Sequence, residues 1–431
     1  MLKPRLYAPD DEVFLRIARR AETQDAEIGR RVDEIVDAVA REGDAALFRL
    51  TRELDGAELG PETIRPTAAE FDAAARAVSE DFLAAFTLAR VNIRKFHAYQ
   101  RRAGYVHDDG DGVILAKRVR PLDSVGVYIP GGAAPLVSTL LMNVVPAQIA
   151  GVEKIYAAMP PRRDGSLDPH LLVAARLLEI DGVYKMGGAQ AVAAFAHGTG
   201  SVPRVTKIVG PGNAYVAMAK RKVFGRVGID AVAGPSEIVI VADVDAPARY
   251  LACDLLAQVE HGSGYEAGVL LTDSRELAAS VRIEIDRALE RLPRADLARR
   301  ALERFGGIFL CRDLDTAIDA ANRLAPEHLE IVARDAKRLS ERVENAGAIF
   351  LGPWSTESVG DYFAGTNHVL PTGGAARFSS SLGVADFVKD ISVIEYSAER
   401  LRKTGRHIVL LADTEGLDAH AAAVRVRLED L

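Results

Sequence analysis

The spacing of apolar positions changes along the chain and separates two kinds of structure. Up to about residue 104, apolar residues recur at helical spacing, as in VDEIVDAVAREGDAALFRLTREL, which predicts a mostly helical region. From about residue 113, short apolar runs such as SVGVYI, KIYAAM, EIVIVAD and VLLT alternate with amphipathic stretches such as DPHLLVAARLLEI. Strands separated by helices of this length predict βαβ units and a mainly parallel sheet.

The number of these units predicts an α/β protein with two lobes. We expect the first lobe at 123–237 and the second at 238–380, with the helical region 1–122 packed against the second lobe. Residues 381–431 contain the strand-like run ISVIEY and a helical end, EGLDAHAAAVRVRLEDL, which predict a C-terminal tail.

Composition and charge argue against several classes of function. The chain has 431 residues, 48% of them hydrophobic, and can bury a sizeable core. Its net charge of −7 argues against the basic surface that nucleic acid or an anionic membrane requires. The N-terminus lacks the apolar region of a signal peptide, and Asn143 and Pro146 interrupt the most apolar stretch. We therefore expect a soluble, cytoplasmic protein.

The chain lacks the glycine fingerprint that usually marks a dinucleotide site. HGSGYEAG at 261–268 resembles G-x-G-x-x-G, but its second glycine spacing is one residue too long and a strand follows it. Better candidates are three glycine turns that each lie close after a strand and open a helical stretch: YIPGG at 128–132, GGAQ at 187–190 and GPGN at 210–213. Tyr128, Gln190 and Asn213 place polar side chains there, although glycine turns alone are as often plain βα connections.

Four scattered residues have side chains that suit a metal ion. Gln258 and His261 are three residues apart and are predicted to project from one helical face. Asp361 lies in the polar stretch GDYFAGTNHVLPTGG, and His420 lies in the terminal helical pattern. Nitrogen and oxygen ligands with an open position suit a catalytic zinc. Spacing alone also fits histidines with a purely structural role.

An adjacent pair of titratable residues, Glu327 and His328, follows Pro326 in the run APEHLEI. Proline keeps the residue before it extended, which favours a turn or the start of a strand that displays both side chains. Histidine can shuttle a proton near neutral pH, and a glutamate with a raised pKa can activate water. Such pairs are common, so this motif alone does not establish catalysis.

Taken together, these segments resemble the signature set of the histidinol dehydrogenase family. The matching runs, in chain order, are GVYIPGG, GGAQAVAAFAHGT, KIVGPGNAYV, AGPSEI, DLLAQVEH, APEHLEI, GTNHVLPTGG and EGLDAH. The resemblance extends from about residue 25 to about residue 425. It implies a homodimer of α/β subunits, each with two incomplete Rossmann-like lobes in an aldehyde-dehydrogenase-like layout. N-terminal helices and a helical C-terminal tail, exchanged between subunits, complete the implied fold.

The resemblance also implies roles for individual residues. The acid–base residues are Glu327 and His328, and the contacts to NAD are Tyr128, Gln190 and Asn213. One Zn2+ per subunit is held by Gln258, His261, Asp361 and His420, the last from the partner subunit's tail. The implied substrate contacts are Ser236, Gln258, His261, His328, Asp361, Glu415 and His420.

The implied reaction constrains the chemistry further. Oxidising an alcohol to an acid takes two hydride transfers and one water, hence two NAD per turnover. The two cysteines, Cys253 and Cys311, lie in or beside apolar runs and are expected to be buried and inert. We therefore expect water to add directly to the aldehyde, without a covalent thiol intermediate.

Two other functions remain possible from the sequence. One is a paralogue with the same zinc and NAD chemistry that oxidises another alcohol, such as a sulfonated diol. The other is a non-enzymatic α/β binding protein in which the histidines and glycines are purely structural. The second predicts no bound zinc and no NADH formation with any alcohol.

Overall fold

The structure is a computed structural model that describes residues 2–20, 26–131, 135–261 and 263–431. Its N-terminal part contains a short strand followed by five helices: β1 Pro4–Leu6, α1 Glu12–Ala18, α2 Ala26–Glu42, α3 Asp44–Leu54, α4 Ala68–Ala77 and α5 Glu80–Ala98. The helical prediction for this region is confirmed. Helix α4 starts at a capping box in which Thr67 accepts a hydrogen bond from the N–H of Glu70 while the Glu70 carboxylate accepts one from the N–H of Thr67.

The first α/β lobe alternates strands and helices. Its elements are β4 Ser124–Tyr128, α6 Val137–Ala150, β5 Lys154–Met159, α7 Pro169–Leu177, β6 Gly182–Lys185, α8 Gly188–His197, β7 Lys207–Val209, α9 Ala214–Val223 and β8 Gly228–Ile229. Before them come β2 Tyr105–Asp108 and β3 Val113–Pro121. The lobe's five strands form a parallel sheet in the order β6-β5-β4-β7-β8. The loops that follow β4, β6 and β7 therefore lie along one edge of the sheet.

The second lobe is built in the same way around a six-stranded parallel sheet. Its elements are β9 Glu237–Ala242, α10 Ala248–Val259, β10 Ala267–Thr272, α11 Arg275–Leu289, α12 Ala295–Phe305, β11 Gly306–Leu310, α13 Leu314–Leu324, β12 His328–Val332, α14 Ala336–Ser340, β13 Ala348–Leu351 and α15 Glu357–Tyr362. The strand order is β1-β11-β10-β9-β12-β13. Strands β9, β10 and β12 are buried along their whole length, as continuous apolar runs in parallel sheets usually are.

The C-terminal residues form a strand and two helices: β14 Val388–Tyr396, α16 Ala398–Thr414 and α17 Asp418–Glu429. Strand β14 pairs antiparallel with β3, which pairs with β2, so the tail adds to a small third sheet. Helices α16 and α17 pack against each other, while Leu410 and Leu411 of α16 remain 63% and 66% exposed. Within the described ranges, no helix is long and apolar enough to cross a membrane.

The N-terminal helices divide between the two lobes. Strand β1 pairs with β11, and Phe14 of α1 enters the core of the second lobe. Helices α2 and α3 instead pack against α8 and α9, while α4 and α5 pack against α7 and α6. The prediction that the region 1–122 packs against the second lobe is therefore wrong for α2 to α5. The apolar faces of these helices, including Val32 and Ile93, belong to cores of the first lobe.

Candidate active site

The candidate active site lies at the amino ends of β9 and β12 in the second lobe. These strands are neighbours, and His328, the first residue of β12, pairs with Ile238, the second residue of β9. Glu327 and Ser236 directly precede the two strands. Gln258 lies near the end of α10, which runs back to the same edge of the sheet, and Asp361 lies on α15. The fold thus gathers residues that are separated by up to 125 positions in the sequence.

Glu327 is buried and held by reciprocal hydrogen bonds with Glu237. Its Oε2 accepts a hydrogen bond from the N–H of Glu237 at 3.0 Å, and Oε1 of Glu237 accepts one from the N–H of Glu327 at 3.1 Å. Glu237 also accepts the N–H of Gly373 at 3.0 Å and pairs with Arg20. Burial, and then the negative charge of Glu237, raise the pKa of Glu327 well above its usual value. A carboxylate of raised pKa is the more effective base toward water.

His328 is oriented for proton transfer by the same residue. Its Nδ1 lies 3.2 Å from the backbone oxygen of Glu237, which fixes the orientation of the ring. Nε2 is buried and has no hydrogen-bond partner among the described residues, and it lies 3.9 Å from Oδ1 of Asp361. Burial lowers the pKa of His328 to about 4, so its imidazole is neutral at pH 7. The site therefore holds a buried imidazole nitrogen without a hydrogen-bond partner among the described residues.

Gln258 and Glu357 complete a group that suits a cation. With its NH2 group turned toward Glu357, the amide nitrogen of Gln258 lies 3.0 and 3.1 Å from the two carboxylate oxygens and 2.9 Å from Nδ1 of His328, while its own oxygen makes none of these contacts. One ligand atom each of His328, Glu357 and Asp361 lies within 4.8 Å of the others. Burial, followed by the charges of Asp361 and Glu330, raises the pKa of Glu357 to about 9. Positive charge placed among these groups would relieve their mutual repulsion.

Two further histidines lie next to this group. Nδ1 of His261 is 2.9 Å from the backbone oxygen of Gln258, and Nδ1 of His368 is 3.1 Å from that of Asp361. Helix α10 ends at Val259, so the prediction that His261 projects from its helical face is wrong, since a turn places it instead. Gly262, which follows His261 in the sequence, lies outside the described residues.

The C-terminal candidates Glu415 and His420 lie on a different part of the chain. Glu415 caps the end of α16, and His420 lies on α17, which packs against α16. Both side chains are exposed, and neither contributes to the group of neighbouring ligand atoms that His328, Glu357 and Asp361 form. Their participation in the site therefore remains a prediction that depends on a second subunit.

The first lobe places two of the three proposed NAD contacts side by side. Tyr128, the last residue of β4, is buried, and its hydroxyl accepts a hydrogen bond from the N–H of Gly188 at 3.1 Å. Nε2 of the buried Gln190 donates to Asp55 at 3.0 Å. Oε1 of Gln190 is buried without a hydrogen-bond partner in the part of the chain that the structure describes. Buried amide oxygens normally accept a hydrogen bond, so this oxygen can accept one from a bound ligand.

The third proposed NAD contact, Asn213, begins a helix. Its side-chain oxygen accepts the N–H groups of Tyr215 and Val216, both at 3.1 Å, and so caps α9. Its side chain is otherwise exposed, at the same edge of the sheet as Tyr128. Of the turn 128–132, the glycine at 132 lies outside the described residues.

Known proteins closely similar to this chain identify its family. The family model of histidinol dehydrogenase matches residues 18–428. A histidinol dehydrogenase of Halalkalibacterium halodurans is 51% identical over 399 residues, 93% of this chain and 93% of that protein. One of Heliobacterium mobile is 48% identical over 405 residues, 94% of this chain and 95% of that protein. The chain belongs to the histidinol dehydrogenase family.

The fold agrees with that of a solved member of the histidinol dehydrogenase family. The crystal structure of histidinol dehydrogenase from Elizabethkingia anophelis matches with a TM-score of 0.92 at 36% identity. The match covers 100% of this chain and 98% of that chain. The predicted family and the predicted α/β fold with a helical C-terminal tail are thereby confirmed.

Three acidic residues of this histidinol dehydrogenase family site were missed from the sequence: Glu237, Glu357 and Asp55. Glu237 opens the apolar strand EIVIVA, where a buried charge is unusual, and that contrast could have revealed it. Glu357 lies four residues before Asp361 on one helix, a spacing that brings the two side chains to the same face. Asp55 carried no local signal, since only the tertiary fold brings it to Gln190.

The two cysteines differ from each other. Cys311 is buried, and burial raises the pKa of its thiol to about 12, as expected for an inert side chain. Cys253 is exposed, so the prediction that it is buried is wrong. It lies on the outer face of α10, because the buried face carries Leu251, Leu255 and Gln258 instead. Neither position provides a thiolate beside Glu327 and His328, so direct addition of water stays the expected route.

Proposed function

We propose that this protein oxidises L-histidinol to L-histidine through histidinaldehyde, in two NAD-linked steps at a site that holds zinc. The observation that carries the proposal is the adjacent buried pair Glu327 and His328, one with a raised and the other with a lowered pKa. This pair lies beside ligand atoms for a cation in a member of the histidinol dehydrogenase family. Groups whose pKa values are shifted by burial in a shared site are typical of acid–base catalysis.

The residues of the second lobe fit zinc. The amide oxygen of Gln258 faces away from Glu357 when its NH2 group is turned toward that carboxylate. Asp361 belongs to the group of neighbouring ligand atoms and offers an oxygen, and His261, whose Nδ1 contacts the backbone of Gln258, offers a nitrogen. We propose these three residues and His420 of the partner subunit as the ligands of one Zn2+ per subunit. Zinc when bound would hold the amine and imidazole nitrogens of histidinol and would polarise the reacting oxygen.

The residues of the first lobe fit NAD. Tyr128, Gln190 and Asn213 all lie at the carboxyl edge of a parallel sheet, where nucleotide ligands of such sheets usually bind. The unpaired Oε1 of Gln190 can accept a hydrogen bond from a cofactor hydroxyl or amide. NAD when bound would accept one hydride in each oxidation, so two NAD are consumed per turnover.

His328 performs the proton transfer of the alcohol step. Its neutral imidazole takes the hydroxyl proton of histidinol at Nε2. The contact between Nδ1 and the backbone oxygen of Glu237 fixes the ring, and Nε2 has no hydrogen-bond partner among the described residues. Ser236 and Glu415 are proposed to orient the substrate, together with the residues that hold the cation.

Glu327 acts in the aldehyde step. Its carboxylate removes a proton from water, which adds to the carbonyl carbon and gives the gem-diol. His328, after releasing its first proton to solvent, takes a proton from this diol in the second oxidation. Retaining the aldehyde between the steps protects a reactive amino aldehyde from side reactions.

We propose a homodimer in which the tails are exchanged between the subunits. The third sheet and the tail carry exposed apolar side chains: the paired residues Leu115 and Ile394 share one face of the sheet and are 43% and 72% exposed, and Leu410 and Leu411 of α16 are also exposed. An exposed apolar surface of this kind usually marks a protein interface. A second subunit that covers it would also bring in the exposed Glu415 and His420.

The runner-up function is that of a paralogue which oxidises a different alcohol, such as a sulfonated diol. Its chemistry would use the same zinc and NAD, so the acid–base pair does not distinguish the two. The sequence identity of 51% and 48% to two proteins named histidinol dehydrogenase favours histidinol as the substrate. Comparing NADH formation from histidinol and from dihydroxypropanesulfonate decides between them.

Purified protein with histidinol and NAD is expected to form two NADH per histidine, because each oxidation step reduces one NAD. A strong chelator should abolish both steps, and added Zn2+ should restore them. Absorbance at the NADH band together with chromatography of histidine measures the ratio. A ratio of one, or full activity in zinc-free protein, would contradict the proposal.

Mixing two inactive variants is expected to restore activity if the tails are exchanged. His261→Ala removes a ligand from the variant's own site, whereas His420→Ala removes one from the site of its partner. In a mixed dimer one of the two sites has both histidines, so random exchange should restore about a quarter of the wild-type activity. If each tail served its own subunit, both sites of the mixed dimer would lack a ligand, and no activity would return.

A further inference from the structure

A buried ion pair holds the turn GPGN from both sides. Lys220 of α9 and Asp230, which follows β8, form an ion pair, and their side chains are only 2% and 5% exposed. Nζ of Lys220 also donates to the backbone oxygen of Gly210 at 2.9 Å. Oδ2 of Asp230 accepts the N–H of the same glycine at 2.7 Å, while its Oδ1 accepts the N–H of Ala231 at 2.7 Å. Both polar backbone groups of Gly210 are therefore held by one charged pair.

Gly210 has a backbone conformation and a close contact that few other residues could adopt. Gly210 has a φ of +113°, a conformation that favours glycine, and a Cβ at this position would lie 2.2 Å from the backbone oxygen of Tyr128. The turn after β7 is thus pressed against the end of β4. Asn213 follows three residues later, so the ion pair fixes the position of Asn213 relative to Tyr128.

A purely structural role explains this arrangement poorly. Two charges taken out of water cost much of the energy that their attraction returns, and apolar side chains of similar size are often at least as stabilising. A buried ion pair is therefore better suited to fixing a position than to adding stability. Here Lys220 and Asp230 both contact the backbone of Gly210. This glycine lies against Tyr128 and is three residues before Asn213, the two proposed NAD contacts.

We infer that Lys220 and Asp230 are positioning residues for NAD, which set the distance between Tyr128 and Asn213 by clamping Gly210. This inference rests on the proposed binding of NAD in the first lobe. The pair acts through the turn and lies behind it, away from the acid–base residues of the second lobe. Its loss affects the affinity for NAD and leaves the chemistry at His328 unchanged.

Lys220→Met is expected to weaken NAD binding about tenfold or more, because a displacement of about 1 Å in a positioning group can cost up to a hundredfold. Isothermal titration with NAD in the absence of substrate measures the dissociation constant directly. Steady-state kinetics should show a raised KM for NAD with nearly unchanged kcat and KM for histidinol. Zinc content should equal that of the wild type.

The matched control is Lys207→Met. Lys207 is a half-buried lysine at the start of β7, the strand whose other end leads into the turn GPGN, and its Nζ donates to the backbone oxygen of Asp386 at 2.7 Å. This variant should bind NAD as the wild type does. The double variant Lys220→Met with Asp230→Asn leaves no unpaired charge, so its melting temperature should recover above that of Lys220→Met while NAD binding stays weak.

The outcomes separate the inference from the proposed function. NAD affinity within twofold of the wild type in the folded Lys220→Met protein or in the double variant would overturn the inference. An equal loss in Lys207→Met would do the same, because it would indicate a general loss of stability. A wild-type protein that does not bind NAD at all would instead contradict the proposed function.

Discussion

His328→Ala is expected to lower kcat for both oxidation steps by about a hundredfold to ten-thousandfold, the usual contribution of a general base. The variant loses the buried Nε2, which has no hydrogen-bond partner among the described residues and lies 3.9 Å from Oδ1 of Asp361. Both steps suffer because each of them takes a proton from a hydroxyl group, first on the alcohol and then on the gem-diol. Stopped-flow measurement of NADH formation from histidinol and from histidinaldehyde gives the two rates.

Zinc content tests the role of His328 against another interpretation of the same geometry. His328 lies in the group of ligand atoms within 4.8 Å of one another, so a metal ligand is its alternative role. As a base, it can be removed with zinc content unchanged, whereas loss of a ligand typically weakens metal binding. The control His170→Ala changes a half-exposed histidine on α7 and should retain full activity. Zinc lost together with activity would contradict the base assignment.

The position of Glu327 and His328 could be predicted from sequence, whereas the reason for their shifted pKa values could not. APEHLEI predicts a turn or the start of a strand at Glu327 and His328, and in the structure Glu327 directly precedes β12 and His328 is its first residue. Their pKa shifts depend on burial and on Glu237, which is 90 residues from Glu327 and reaches it only because β9 and β12 are neighbours. Strand order in a parallel sheet is a tertiary property, so no local pattern contains it.

The strands of the two lobes were predicted more completely than the packing of the N-terminal helices. Every apolar run named as a strand in the two lobes is a strand, because buried parallel strands have a strong local signal. Helices α2 and α3 are amphipathic, and amphipathicity indicates that a face is buried but not which sheet covers it. For the same reason the sequence did not show that Cys253 lies on the outer face of α10.

Glu327→Gln is expected to slow oxidation of the aldehyde far more than oxidation of the alcohol. In the wild type, the carboxylate of Glu327 accepts the N–H of Glu237 at 3.0 Å. Glutamine has the same shape and an oxygen that can accept this N–H, but it cannot take a proton from water. Only the aldehyde step consumes water. We expect a loss of about a hundredfold or more in that step, and histidinaldehyde released or trapped during turnover of histidinol.

The pH dependence gives the second readout for Glu327. Burial and neighbouring carboxylates raise its pKa, so the group is protonated at low pH and becomes an active base only as pH rises through that pKa. The aldehyde step in the wild type should therefore accelerate with pH, and this rise should be missing in Glu327→Gln. The alcohol step, which uses His328, should keep the same profile in both proteins.

Glu330→Gln is the matched control for this experiment. Glu330 is also buried, lies on the same strand, and has a pKa raised to about 8 by burial and by Asp254. Its carboxylate accepts the N–H of Glu357 at 3.0 Å, whereas that of Glu327 accepts the N–H of Glu237. We therefore do not expect Glu330 to contact the water that Glu327 is proposed to activate. Its replacement should not slow the aldehyde step selectively. Equal damage to both steps in Glu327→Gln would refute the water-activating role, since a base for water alone has no part in alcohol oxidation.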